Sequence, residues 1–202
     1  TLTSSLNTPE VQEASKTIRP LVARVQDRIN FDSDLFSRVE AVYEDREGLD
    51  REARRLVEKV RREMVRKGAN LSPEDKEKLG ELNQALAKLF TEFANRVLAD
   101  EDTWVVLGEE DLAGLPTSLV ETYAKEAKKR DIDGYAVVNT RSAVAPFLTF
   151  STRRDLREKV WRRFVMRGDN GDENDTNALI QKIVALRAQR AKLLGYPSHA
   201  HW

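Results

Sequence analysis

The chain has 202 residues, of which 40% are hydrophobic and 34% are charged, a balance typical of a folded globular protein. Its 34 Lys and Arg residues balance its 34 Asp and Glu residues, which argues against a basic protein that binds nucleic acid. The absence of cysteine excludes disulfides, thiolate nucleophiles and cysteine-ligated zinc. The longest apolar runs have four residues, whereas a transmembrane helix needs about 20, and nothing resembles a signal peptide. We therefore expect a cytoplasmic protein.

Three helices are predicted in the first third of the chain. Apolar residues recur at helical spacing from Pro9 to about Ile29, and Pro20 inside this run is expected to kink or break the helix. Similar spacing predicts helices over residues 32–43 and 49–67. Gly68 is a plausible stop for the third helix, because glycine readily adopts the left-handed conformation that ends many helices.

The strongest helical signal follows. Ser72 provides an N-capping hydroxyl, Pro73 suits the first helical position, and acidic residues follow in the first turn. Leucine, phenylalanine and valine then alternate in steps of three and four up to Val97, which forms one apolar stripe. A helix that continues to Leu98 is on the order of 40 Å long at about 1.5 Å per residue. Such a length favours an extended helical wall.

The periodicity changes after Ala99. Short β-prone runs at Trp104–Leu107 and Tyr135–Asn139 predict a small strand pair, with a helix over residues 117–129 between them. Ala145–Phe147 is expected to form one short helical turn. Thr152 begins a capping-box variant that predicts a helix to about Arg167.

The last part of the chain is predicted to contain a polar loop over residues 168–174 and a final amphipathic helix that ends before Gly195. The fold class is therefore mostly α, an elongated helical array with a small β-hairpin or strand pair near residues 104–139. No internal repeat is apparent.

Few residues could perform catalysis. His199 and His201 are the only histidines, and they could chelate a metal if the segment were extended. No carboxylate lies within twenty residues of them in sequence, so we interpret both as surface or packing residues. No His-Glu-x-x-His motif, serine triad or phosphate-binding loop occurs. No catalytic, cofactor-binding or metal-binding residue is assigned, and the substrate-binding residues stay unidentified.

Several short motifs have simpler explanations. Residues 167–169 match an adhesion tripeptide and residues 174–176 match a glycosylation acceptor, but we interpret both as chance matches. The acidic run over residues 169–175 lacks the ligand spacing of a calcium loop, so helix-capping acids are the better interpretation.

Two stretches are rich in basic residues. Arg51–Lys67 holds eight Lys or Arg against three Glu, and Arg153–Arg167 holds seven against two acids. Phosphate binding is the functional alternative. Solvated faces or ion-paired helix contacts are the preferred interpretation, because acidic clusters neutralise the chain and few aromatic residues are available for base stacking.

A series of blocks in the second half of the chain carries a family resemblance. The blocks are Asp111–Pro116, Gly134–Tyr135, Pro146–Phe150, Arg154–Lys159, Arg163–Gly168, Asn174–Ile180, Ile183–Arg187 and Ala191–Tyr196. In this order they resemble the N-terminal half of the thimet-oligopeptidase family of zinc metallopeptidases, in particular its bacterial peptidyl-dipeptidase and oligopeptidase A branch. The match is stronger over residues 70–202, expected to form a helical wall with a minor β element. It is weaker over residues 1–69, expected to form N-terminal helices.

The resemblance implies a two-lobed helical peptidase that cleaves short peptides in a deep channel. In that family the zinc is held by His-Glu-x-x-His and a downstream Glu in the C-terminal half, where the motif glutamate activates zinc-bound water. Residues 1–202 would then be the N-terminal part of the enzyme and would form one wall of its channel. The parent enzyme would contain zinc, whereas this chain would bind none and would be inactive by itself. The implied partners are short peptides and the catalytic half, with no nucleic acid or membrane. The alternative is a non-catalytic helical interaction module.

Overall fold

The computed structural model describes residues 8–202 and confirms the mostly helical class. Over these residues eight α-helices and one two-stranded sheet form. In chain order the elements are α1 (Pro9–Asn30), α2 (Ser33–Glu44), α3 (Arg51–Arg66), α4 (Pro73–Glu101), β1 (Trp104–Leu107), α5 (Thr117–Lys128), β2 (Tyr135–Val138), α6 (Arg141–Phe150), α7 (Arg154–Val165) and α8 (Asn177–Leu193). Short 3₁₀ helices lie at Arg46–Gly48 and Glu109–Asp111.

The chain divides into two compact units. The first contains residues up to Glu92 together with Leu179–Trp202, and the second contains Phe93–Ala178. None of the described helices combines the length and the apolar character that crossing a membrane requires.

Helix α1 corrects the expectation for Pro20. The structure has one unbroken helix through this residue, although the expected break was physically reasonable because proline lacks the N–H that would bond to the preceding turn. The lost hydrogen bond affects one turn of a 22-residue helix, and the turns on either side retain theirs. A single internal proline is therefore tolerated here.

The junction between α3 and α4 was predicted correctly. Gly68 has φ +100°, its N–H donates to the Val65 carbonyl at 2.9 Å, and the Ala69 N–H donates to the Met64 carbonyl at 3.0 Å. This pair of bonds satisfies carbonyls left free at the end of α3. The Ser72 hydroxyl accepts from the Asp75 N–H at 3.1 Å, as expected for an N-cap. The chain therefore turns sharply into α4.

The core of the second unit lies between the sheet and helices α5, α6 and α7. Strands β1 and β2 pair antiparallel with Trp104 opposite Val138, which confirms the predicted strand pair. Tyr123 and Phe147 are fully buried and meet edge to face with their ring centroids 6.3 Å apart. Burial raises the pKa of Tyr123 to about 12, and its hydroxyl donates to the Ala143 carbonyl at 2.8 Å.

Two local expectations in this unit were wrong. Helix α6 has ten residues rather than one turn around Pro146, because Val144 and Phe147 bury one face of it in the core. The predicted capping box at Thr152 does not form: its hydroxyl donates to the Ala113 carbonyl at 3.1 Å, and Arg153 precedes α7 without a side-chain cap. Packing and a distant carbonyl therefore override the local sequence signals.

Candidate functional site

The two histidines do not form a metal site with other residues. The Nδ1 atom of His201 lies 2.7 Å from the Ser198 hydroxyl, and the ring of His199 packs against Trp202 with centroids 5.4 Å apart. Over residues 8–202 the structure places no three His, Cys, Asp or Glu side chains where they could hold a metal ion together. A zinc site needs three or four such ligands, so the described residues do not fit the zinc that the resemblance implies.

The acidic loop before α8 is arranged around hydrogen bonds within the protein. Asp175 accepts from the Asn177 N–H at 2.8 Å and from the Gly171 N–H at 3.1 Å, and Asp172 accepts from the Asn174 N–H at 2.9 Å. These bonds confirm the interpretation of the acids as caps and turn formers.

The Asp100 carboxylate at the end of α4 holds the same loop in place. It is 3% exposed and accepts from the Gly168 N–H at 2.6 Å and from the side-chain amides of Asn170 and Asn174 at 3.0 Å and 3.4 Å. Thr176 closes the loop, since its N–H and its hydroxyl both donate to the Gly168 carbonyl. Asp100 is thus a structural residue of the second unit.

Several cations of the two basic stretches form ion pairs inside their own unit. Arg61 on α3 lies 3.0 Å from Glu40, and its guanidinium stacks on Tyr43. Arg153 lies 2.8 Å from Asp111, and Arg167 pairs with Glu101. These contacts use the charges to connect helices and loops.

A cleft of about 560 Å³ lies in the first unit. Its apolar wall is contributed by α4 and the segment after α8, through Leu79, Leu86, Phe90, Leu194 and Trp202. Three cationic side chains and one carboxylate also line it, namely Arg66, Lys67, Arg190 and Asp27. The cleft is therefore partly apolar with an excess of positive charge.

A chain of polar groups connects three helices at this cleft. The Asn83 amide on α4 donates to Asp27 Oδ1 on α1 at 2.8 Å, and Arg190 Nη1 on α8 donates to Asn83 Oδ1 at 3.3 Å. The second carboxylate oxygen of Asp27 and the Nε of Arg190 are buried without a hydrogen-bond partner. Such groups are costly to bury, so this cluster is under-satisfied compared with most protein interiors.

The electrostatics of the cluster follow from its burial. Burial raises the pKa of Asp27, although the hydrogen bond from Asn83 and the charge of Arg190 oppose the rise. Burial lowers the pKa of Arg190, and the charge of Arg187 lowers it further. The pKa of His199 is lowered by burial, then by Arg187 and Arg190. Each shift disfavours the charged form, as expected where charges lie close together away from water.

The sequence did not predict this cluster. The one available signal was Asn83, a polar residue four positions after Leu79 and three before Leu86, both of which are 1% exposed. A polar residue beside the buried stripe of a helix needs a partner, but nothing in the sequence showed that the partners are Asp27 and Arg190.

A half-exposed apolar face runs along α1, and we call it the α1 face. Its members are 48% to 57% exposed: Ile18, Leu21, Val22, Val25 and Ile29. Four of them follow helical spacing on one side, and α1 has no buried residue. Contiguous apolar surface of this kind marks a place where another surface packs.

Comparison with known proteins gives the family relationship. Residues 147–202 match the family described as "Peptidase family M3". The whole chain is 34% identical to "Dipeptidyl carboxypeptidase" of Escherichia coli (strain K12) and covers 30% of that protein. It is also 28% identical to "Oligopeptidase A" of Haemophilus influenzae, with 98% of this chain and 30% of that protein aligned. A third relative is "Probable cytosolic oligopeptidase A" of Arabidopsis thaliana, 28% identical over 96% of this chain and 29% of that protein.

The chain is thus similar to M3 peptidases, most directly over residues 147–202, which confirms the resemblance found in the sequence. It spans about three tenths of the length of these relatives.

Proposed function

We propose that the chain is the N-terminal helical part of a zinc-dependent oligopeptidase or peptidyl-dipeptidase that hydrolyses short peptides. The observation that carries the proposal is the similarity to a dipeptidyl carboxypeptidase, which extends over the whole of this chain at 34% identity but covers only 30% of that protein. The described residues do not fit a zinc site, so the zinc and the group that activates its water belong to residues outside this chain. By itself the chain is inactive in this proposal.

The role of the chain in such an enzyme is to form one wall of the substrate channel. Helices α4 and α8 supply this wall, and the hydrogen bond from Arg190 to Asn83 connects them within the first unit. A channel with a fixed helical wall admits short extended peptides and excludes folded proteins.

The exposed α1 face supports a larger protein around this chain. Burying the exposed half of these five side chains against another surface would contribute about 1 kcal/mol each. We assign this face to packing against the catalytic part of the enzyme. We also propose that the enzyme acts in the cytoplasm, in line with the name of the cytosolic relative.

A hydrolysis experiment tests the proposal. The full-length protein that contains this chain, the chain alone, and the remaining part expressed separately are each incubated with a blocked oligopeptide, and products are identified by mass spectrometry. We expect cleavage by the full-length protein, its loss after chelation and its return with zinc, and no cleavage by the chain alone. Removal of C-terminal dipeptides would indicate peptidyl-dipeptidase action, and internal cleavage would indicate oligopeptidase action. A full-length protein without a zinc-dependent activity would contradict the proposal.

The alternative is a helical interaction module without catalysis, which the balanced charges and the well-formed second-unit core favour. It predicts that the chain alone is monodisperse, melts cooperatively and binds no hydrophobic dye. If the α1 face instead belongs to an interface, the isolated chain self-associates or binds dye. Sedimentation velocity and dye fluorescence on the isolated chain separate the two.

A further inference from the structure

The cleft of the first unit has more positive charge than its own residues neutralise. Arg190 lines the cleft, and Arg187 lies three residues before it on α8, outside the lining; neither has a carboxylate within 4.0 Å among residues 8–202. Their guanidinium groups rest on aromatic rings, Arg187 at 4.9 Å from the Phe90 centroid and Arg190 at 4.4 Å from that of Trp202. Buried or half-buried charges in proteins are normally paired, so two such cations without an ion pair require an explanation.

The other charged groups around the cleft do not supply the missing anion. Asp27 is the one acid among the lining residues; it is hydrogen-bonded to Asn83 and interacts electrostatically with Arg190, and this single carboxylate leaves the three lining cations in excess. Arg66 and Lys67 add positive charge on the same lining, and Arg66 donates to the Trp202 carbonyl. A neutral His199 next to Arg187 and Arg190 adds none of the negative charge that is needed.

We propose that this cleft binds the carboxylate of a peptide, with the guanidinium of Arg190 as the main anchor and the apolar wall holding the adjacent side chain. A guanidinium has five N–H donors, and one hydrogen bond from Arg190 to a protein acceptor is formed among the described residues. Its planar fork suits a carboxylate, and the aromatic face of Trp202 orients it. The choice of a peptide as the source of the carboxylate rests on the proposed peptidase function.

The remaining groups set the selectivity of the site. The ring of Trp202 and the side chains of Leu79, Leu86 and Phe90 offer an apolar surface next to the charged end, so an apolar residue beside the carboxylate fits the cleft. Asp27 lowers affinity for an anion, because its negative charge faces the same space. The volume of about 560 Å³ leaves room for one or two residues.

Binding is measured by calorimetry on the full-length protein that contains this chain, treated with a chelator so that no peptide is cleaved, at physiological salt with three peptides. The first is an N-acetylated apolar dipeptide with a free C-terminal carboxylate, the second is its C-terminal amide, and the third is an amidated version that carries one glutamate. Binding of the first peptide would identify a terminal carboxylate as the ligand, and binding of the third would identify an acidic side chain. We expect at least one of these two peptides to bind and the neutral amide not to bind. Binding of the amide as tightly as the acid, or no binding by either carboxylate, would overturn the proposal.

Variants locate the site. Arg190→Gln should weaken binding about tenfold or more, because it removes a charge-assisted contact. Asp27→Asn should strengthen binding a few-fold, whereas weaker binding would show that the cleft is not an anion site. Arg162→Gln, which removes an exposed arginine paired with Glu158 on α7, is the matched control and should leave affinity unchanged. If Arg190→Gln fails to fold by circular dichroism, Lys67→Gln, which removes another lining cation, and Asp27→Asn make the same distinction.

Because these measurements require no hydrolysis, they are independent of the zinc-dependence experiment. A protein that cleaves peptides but shows no carboxylate binding on this chain would refute the binding site and leave the peptidase function standing. Carboxylate binding without any peptidase activity in the full-length protein would do the reverse.

Discussion

Replacing Asp100 by alanine should destabilise the second unit by about 2–4 kcal/mol, because a buried backbone donor loses its acceptor. The carboxylate is 3% exposed and receives hydrogen bonds from the Gly168 N–H and from two asparagine side chains. The asparagines lie in the polar loop and can turn to water, so most of the loss comes from the buried N–H of Gly168. A negative charge in the last turn of α4 interacts unfavourably with the helix dipole, so removal of Asp100 also regains a few tenths of a kcal/mol of folding free energy, on the order of 0.3 kcal/mol.

The assay is urea and thermal unfolding followed by circular dichroism. For a protein of this length, the expected loss corresponds to a fall in Tm of about 5–15 °C. Asp102→Ala is the matched control, since this neighbouring carboxylate is 79% exposed and lies 3.4 Å from Arg130. An exposed ion pair of this kind contributes about 1 kcal/mol at most. If the two variants unfold within about 0.5 kcal/mol of each other, the assignment of Asp100 as the residue that holds the loop is refuted.

Three further predictions concern the turn after α3, the core and the cleft. Gly68→Ala should lower the free energy of unfolding in urea by about 1–3 kcal/mol, because φ is +100° and the new methyl group would lie 2.5 Å from Leu79. Gly48→Ala is the control and should change little, since a methyl group there would have no other atom within 4 Å. Phe147→Ala, at a position with no exposure, should cost about 3–5 kcal/mol and weaken the near-ultraviolet signal; a smaller loss than 1 kcal/mol would contradict its central place in the core. The pKa of Asp27 is raised by burial, so the folded state holds its proton more tightly and this group favours folding at acidic pH, losing that contribution as the pH rises from about 3.8 through the folded pKa. Asp27→Asn should abolish that pH dependence and unfold no more easily than the wild type at neutral pH, which unfolding curves at pH 4 and pH 7 would check.

The sequence by itself determined the parts of the fold that rest on local chemistry. The cap at Ser72, the left-handed stop at Gly68 and the two β-prone runs were all identified, because hydroxyls, glycines and branched residues act on their immediate neighbours. The same local signals were wrong at Pro20 and Thr152. There the neighbouring helical turns, or a carbonyl 39 residues away, decided the outcome.

The family relationship was also available from the sequence, since the order of short blocks is a property of the chain alone. The cleft was not. Asp27, Asn83 and Arg190 are each ordinary polar residues on amphipathic helices, separated by 56 and 107 residues along the chain. Only the packing of α1, α4 and α8 brings one carboxylate and an excess of cationic groups to one apolar cleft, because burial and charge balance depend on which helices meet and not on which residues are adjacent in sequence.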